Sequence, residues 1–221
     1  MMERQPEPEL MDLESEAAAY ADADFAEVNA AFVERLLELI GHHDHPVAVD
    51  LGTGPGDIPL RIAAGRGGWR ILAVDASWAM LQRAREASRN ATAAEAVHFI
   101  QADVKRLPVT SRSCDIVFSN SILHHVSGTA AFWAEVRRIA RRGTWVLVRD
   151  LVRPGSRDEA RQLVDRYAGG ESPLLQEEFY RSFLAAYTPE EVREQIAQAG
   201  LVGLGVELVT DRHLDVVGRI A

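Results

Sequence analysis

The chain has 221 residues, 47% of them hydrophobic, which is enough for one large core at the size of a single α/β domain. Its formal net charge of −9 argues against nucleic acid as a substrate, because binding a phosphate backbone needs a basic face. No apolar run approaches the roughly 18 residues of a membrane span, residues 1–30 lack a signal-peptide core, and the single Cys114 permits no internal disulfide and no thiolate metal chemistry; a cytoplasmic protein with no membrane partner is expected.

Residues 1–13, rich in Pro and Glu, read as an extended arm. From Glu14 to Ile40 the apolar positions Phe25, Val28, Phe32, Leu36, Leu39 and Ile40 recur at helical spacing, which implies an amphipathic helix or a pair of helices. Gly41 and the His42-His43-Asp44-His45-Pro46 stretch end it. Those histidines fit no zinc spacing and have no cysteine partners, so a solvated loop and no metal site are expected there.

Strand patterns follow at 47–51, 70–75, 97–101, 115–120 and 143–149, alternating with helical patterns at 56–66, 77–89 and 129–141. That alternation predicts a parallel sheet with helices on both faces and right-handed crossovers. Residues 157–168 and 173–186 read as helices separated by Gly169-Gly170. Thr188, with Pro189 after it and Glu191 three residues on, predicts a capped helix through Ala199. Residues 202–209 and 213–220 read as an antiparallel hairpin that closes the sheet.

The run Val47-Ala-Val-Asp-Leu-Gly-Thr-Gly-Pro-Gly-Asp57 concentrates the chemistry. A short apolar strand feeds Gly52, Gly54 and Gly56, which let the backbone approach a ligand closely. A second strand, Ile71 to Asp75, ends in a carboxylate about 20 residues beyond the last glycine, the placement that suits a ribose diol. The dinucleotide fingerprint G-x-G-x-x-G is broken here: the third glycine comes one residue early and Asp57 follows it. A carboxylate at that place would repel a pyrophosphate. S-adenosylmethionine (SAM) has the adenosine, lacks phosphate and carries a cationic sulfonium, so Asp50 and Asp57 suit it better than NAD.

Four ordered motifs resemble class I, Rossmann-like SAM-dependent methyltransferases of the bacterial small-molecule type. They are Val47–Asp57, Ile71–Met80, Phe99–Val104 and Cys114–His125, and the resemblance covers roughly residues 45–150. It implies a doubly wound, mostly parallel seven-stranded α/β sheet with a C-terminal antiparallel hairpin and an N-terminal helical lid. Residues 1–45 would be arm and lid, 46–150 the SAM-binding core, and 151–221 the substrate side of one domain. It further implies that Asp50, Gly52, Thr53, Gly54 and Gly56 meet the methionine end of SAM. Asp75 would hold the ribose. Ala76, Met80, Asp103 and Val104 would hold the adenine, and Asn120 and Ser121 would lie at the end of the fourth strand.

Methyl transfer needs mainly proximity and orientation, with a base only where the acceptor is protonated. Asn120 and His124 are therefore the candidate catalytic residues. His124 and His125, adjacent on a helix, would point about 100° apart, one toward the pocket. For a small-molecule acceptor the candidates are Tyr20, Phe25, Arg149, Asp150, Arg153 and Tyr187, with arginine able to grip a carboxylate. The alternative for Arg149 and Asp150 is an ion pair holding the lid helices. A non-catalytic SAM-binding protein and, less favourably, an NAD oxidoreductase are the competing functions. S-adenosylhomocysteine is the expected product, and a monomer or homodimer the expected assembly.

Overall fold

The computed structural model describes residues 2–8 and 25–221. Tyr20, and the first part of the helix expected from Glu14, lie outside the described residues. Along the chain the elements are α1 (Ala26–Ile40), β1 (Val47–Leu51), α2 (Asp57–Gly65), β2 (Arg70–Asp75), α3 (Trp78–Ser88), β3 (Val97–Gln101), β4 (Cys114–Asn120) and α4 (Thr129–Ile139). There follow β5 (Ala140–Leu151), α5 (Arg157–Ala168), α6 (Pro173–Ala185), α7 (Pro189–Gln198), β6 (Leu204–Leu208) and β7 (His213–Arg219).

The seven strands form one sheet in the order β3-β2-β1-β4-β5-β7-β6. The first five are mutually parallel and β7 is antiparallel to both of its neighbours. The order reverses between β1 and β4, which places a crevice at their carboxyl ends, where open α/β sheets bind ligands. Side chains alternate across the sheet. Val117, Val146 and Val148 face a core with Trp133 of α4 and Ile196 of α7, whereas Ile116, Phe118 and Leu147 face Phe32 and Leu36 of α1 and Ile62 of α2. Helices α5 and α6 form a separate apolar cluster around Phe183, packed on Leu151 at the end of β5.

Local chemistry sets several boundaries. Thr188 and Glu191 make the expected capping box, and Pro189 opens α7. Ser156 and Ser172 cap α5 and α6. β5 departs from expectation: it starts at Ala140 directly after α4 and runs on to Leu151. The Arg141-Arg142-Gly143 stretch is accommodated inside it where Gly143, at φ +85°, takes a conformation other residues avoid.

β7 also fixes a charge. Arg149 of β5 stands opposite Asp215 of β7 in the ladder and donates two hydrogen bonds to it, at 2.7 and 2.8 Å. Asp215 is fully buried and the guanidinium lies over the Phe32 ring. Removing one partner strands a buried charge. Asp215→Ala should therefore lower unfolding free energy by about 3–5 kcal/mol in urea titrations, while the paired exchange of Arg149 and Asp215 for apolar residues should cost far less.

Candidate active site

The crevice is built around Asp75. Its Oδ2 accepts the Gly54 N–H at 2.8 Å and its Oδ1 accepts the Ser77 N–H at 2.8 Å. One carboxylate thus ties the glycine turn after β1 to the start of α3, which Ser77 caps through the Met80 N–H. The turn is tight: Gly52, Gly54 and Gly56 have φ of +73°, +54° and +82°, and a Cβ on Gly52 would collide with Ile122. Gly56 is the left-handed N-cap of α2. Asp57, next along, binds Arg61 and accepts a hydrogen bond from Asn29 of α1 at 2.9 Å. A carboxylate therefore occupies the helix N-terminus that a pyrophosphate would need.

Three buried polar atoms around the β1 and β4 ends have no hydrogen-bond partner among the described residues: Asp50 Oδ2, Thr53 Oγ1 and Asn120 Oδ1. Burial pushes the Asp50 carboxyl up to about 7, against the nearby Thr53 hydroxyl, with the Asp75 charge adding to the rise. Acceptor-rich, unsatisfied and partly uncharged, this floor fits a ligand that brings donors and positive charge. Beside it, Asp75, Ala76, Asp103, Val104, Ile122 and His125 line a cavity of about 180 Å³. Asp103 makes an Asx turn, accepting the Lys105 N–H at 2.8 Å. Met80 is buried in α3 and lies outside this lining.

A second cavity, of about 170 Å³, lies on the expected substrate side. Its walls come from Phe25, Val28 and Asn29 around the start of α1, from Asn120, Ser121, His124 and His125 at and after the end of β4, from α5 and α6, and from Arg212 and His213 at the hairpin. The arm adds a strap. Gln5 donates to the Leu184 carbonyl, Arg4 donates to the Ala185 and His124 carbonyls, and its guanidinium lies 4.0 Å from the Tyr187 ring centroid.

His124 and His125 sit in a single 3₁₀ turn, Leu123–His125, and not on an α-helix. Both line the substrate-side cavity, with ring centroids 4.2 Å apart, so the expected division into one facing and one packed ring does not hold. His124 Nδ1 lies 2.6 Å from Asp150 Oδ1. Burial opposes a charge on His124, but the Asp150 carboxylate, with Glu7 behind it, outweighs burial and holds the imidazole above its ordinary value. The same pairing overcomes burial to hold Asp150 low. Burial, reinforced by charged His124, drives His125 down to about 3.

Of the expected acceptor residues, Phe25 reaches the cavity and four others do not. Arg149 is consumed by Asp215 and does not pair with Asp150. Arg153 binds Glu191 and the Ala186 carbonyl, and the Tyr187 hydroxyl donates to the Val126 carbonyl. Asp150 stands behind His124, outside the lining. Arg212 and Asn29 were not anticipated. Arg212 Nε is buried without a hydrogen-bond partner among the described residues, and its guanidinium stacks 3.4 Å from the Tyr167 centroid.

Residues 49–148 match a family model described as methyltransferase domain. Over those residues the chain carries a methyltransferase domain, and its fold is that of class I SAM-dependent methyltransferases. It is 32% identical over 124 residues to malonyl-acyl-carrier-protein O-methyltransferase from Marinomonas, covering 56% of this chain and 44% of that one. The corresponding enzyme from Serratia marcescens is 34% identical over 166 residues, covering 73% and 60%. The chain thus spans about half the length of the curated relatives it matches. A SAM-dependent methyltransferase structure from Aquifex aeolicus superposes with a TM-score of 0.70 at 18% identity, covering 95% of this chain and 99% of that one. That likeness concerns the fold. No helix among the described residues is long and apolar enough to cross a membrane.

Within this methyltransferase domain, a cationic ligand over Asp50 favours the ionised carboxyl. SAM should bind more tightly as pH rises through about 7 and release protons from Asp50 on binding near that pH. Calorimetry in two buffers of different ionisation enthalpy reads the proton count, and Asp50→Asn should abolish it. Asp75→Ala should lower SAM affinity tenfold or more, because the ribose loses a charged acceptor and the turn loses its anchor.

Proposed function

We propose that this chain transfers a methyl group from SAM to a small organic acceptor seated in the substrate-side cavity. The observation that carries the reading is adjacency: His125 belongs to the walls of both cavities, so the cofactor space and the acceptor space meet over the carboxyl ends of β1 and β4. SAM, when bound, would supply an activated methyl group; in-line attack by an acceptor oxygen forms the O–CH3 bond as the S–CH3 bond breaks, releasing neutral S-adenosylhomocysteine, and a carboxylate acceptor has no proton to lose. The chain's own contribution is to orient the two partners and keep water out.

In this reading Asp75, Ala76, Asp103 and Val104 hold the adenosine. The glycine turn, Thr53 and Asp50 hold the methionine end. Asn120, with its unsatisfied Oδ1, and Ser121 stand where the two spaces meet. Phe25 and Asn29 of the lid cover the acceptor, and Arg212 anchors it at the far wall. The O-methyltransferase relatives support an oxygen nucleophile. The unpartnered Arg212 Nε supports an acceptor with a carboxylate or another strong hydrogen-bond acceptor.

The test is transfer of isotopically labelled methyl from SAM to a panel of small hydroxy and carboxylic acids, with the amine analogues alongside. Labelled product with an oxygen acceptor is expected. Arg212→Ala should then raise the acceptor KM tenfold or more, leaving SAM affinity unchanged, in line with the loss of a charged hydrogen bond worth about 1.5–3 kcal/mol. Methylation of amines alone would contradict the oxygen assignment, and an unchanged KM in Arg212→Ala would remove that residue from the acceptor site.

A further inference from the structure

The cluster of Glu7, His124 and His125 has a geometry that methyl transfer leaves unused. Glu7 comes from the strap of residues 2–8, far in sequence from the histidines, yet its side chain is 7% exposed. Its Oε1 lies 3.6 Å from His124 Nε2 and 3.4 Å from His125 Nδ1. All three atoms fall within 4.8 Å of one another. Two donors each about 2.1 Å from a tetrahedral metal ion stand roughly 3.4 Å apart, so the spacing is close to that of a three-ligand site.

The surrounding shell is arranged in the same way. His124 Nδ1 is held by Asp150 at 2.6 Å, which turns Nε2 toward Glu7, where a bound cation would take the place of the Nε2 proton. A carboxylate behind a histidine is the usual device for orienting a metal ligand and raising its basicity. His125 Nδ1 is buried and makes no hydrogen bond among the described residues, while the Pro8 backbone bonds the same ring. Ser182 Oγ donates to Glu7 Oε1 at 3.1 Å and fixes the carboxylate. Arg4, the nearby cation, is directed at two carbonyls and the Tyr187 ring.

We infer that Glu7, His124 and His125 form a binding site for a divalent cation of the zinc class, closed by docking of the N-terminal strap. Two imidazoles and one carboxylate with a free coordination position are a donor set such ions accept. Both histidines line the acceptor cavity, so that free position opens onto it and takes an oxygen of the bound acceptor. The role in acceptor binding rests on the proposed function; the ion site itself does not.

The full chain, free of any affinity tag, is stripped with chelator and dialysed against Zn²⁺, and bound metal is counted by elemental analysis without SAM. Co²⁺ is then used as a spectroscopic probe of coordination. One equivalent per chain is expected, with the intense visible d–d bands of four- or five-coordinate cobalt. Glu7→Gln and His125→Asn should each weaken binding tenfold or more, and Asp150→Asn should weaken it by about 10–100-fold. Melting curves of each apo variant separate lost ligation from lost fold, and Glu7, on the terminal strap, can change with little effect on the core. The exposed loop histidines provide the control: replacing His42, His43 and His45 together with alanine should leave binding intact. Absence of stoichiometric binding, binding that survives in folded Glu7→Gln and His125→Asn, or loss only in the loop variant would each overturn the assignment.

Discussion

The Asp75 carboxylate is the interaction on which the site depends. It accepts backbone N–H groups from Gly54 and Ser77, and so joins the two turns that flank the cofactor crevice. Gly52, Gly54 and Gly56, at alternate positions, all take positive φ because no Cβ opposes it, and the Gly54 N–H faces the fixed anion. Parallel β1, β2 and β4 supply the rigid base for this arrangement, and Ser119, buried at the end of β4, donates to the Leu51 carbonyl and pins β4 to β1 where the strand order reverses. A ribose hydroxyl would therefore meet a carboxylate already oriented by the backbone, so little ordering remains to be done on binding.

The two halves of the site are built by different physics. The cofactor side is local: short strands run into turns, and each important residue lies within a few positions of a strand end. The acceptor side is assembled from distant parts of the chain, with α1, the turn after β4, α5, α6, the hairpin and the strap of residues 2–8 each contributing. Its charges are also mixed. Glu171, Glu178 and Arg212 share its wall, with Asp150 and Glu7 behind the histidines. Such a surface specifies its ligand by position of charge and not by overall sign.

That difference explains what could be read from the sequence. The glycine turn, Asp75 and Asp103 were legible because their spacing to the preceding strand is short, and the capping box of α7 because it spans four residues. Arg149 was misread because its partner Asp215 lies 66 residues away and becomes visible only with the antiparallel register of β5 and β7. The paired histidines were misread as helical, whereas a 3₁₀ turn brings both rings to one cavity. Arg212 lies between the two strands of the expected hairpin, and only the fold turns it against Tyr167 and the cavity. Glu7, in an arm of Pro and Glu, carries no local pattern that points to the histidines.

The central claim is that the crevice takes an adenosyl ligand with a cationic sulfur and not a dinucleotide. Parallel calorimetric titrations of the folded protein with SAM, S-adenosylhomocysteine and NAD test it most directly. Micromolar binding of the first two and none of the third is expected. Binding of NAD, or failure of both adenosyl-sulfur ligands to bind, would contradict it.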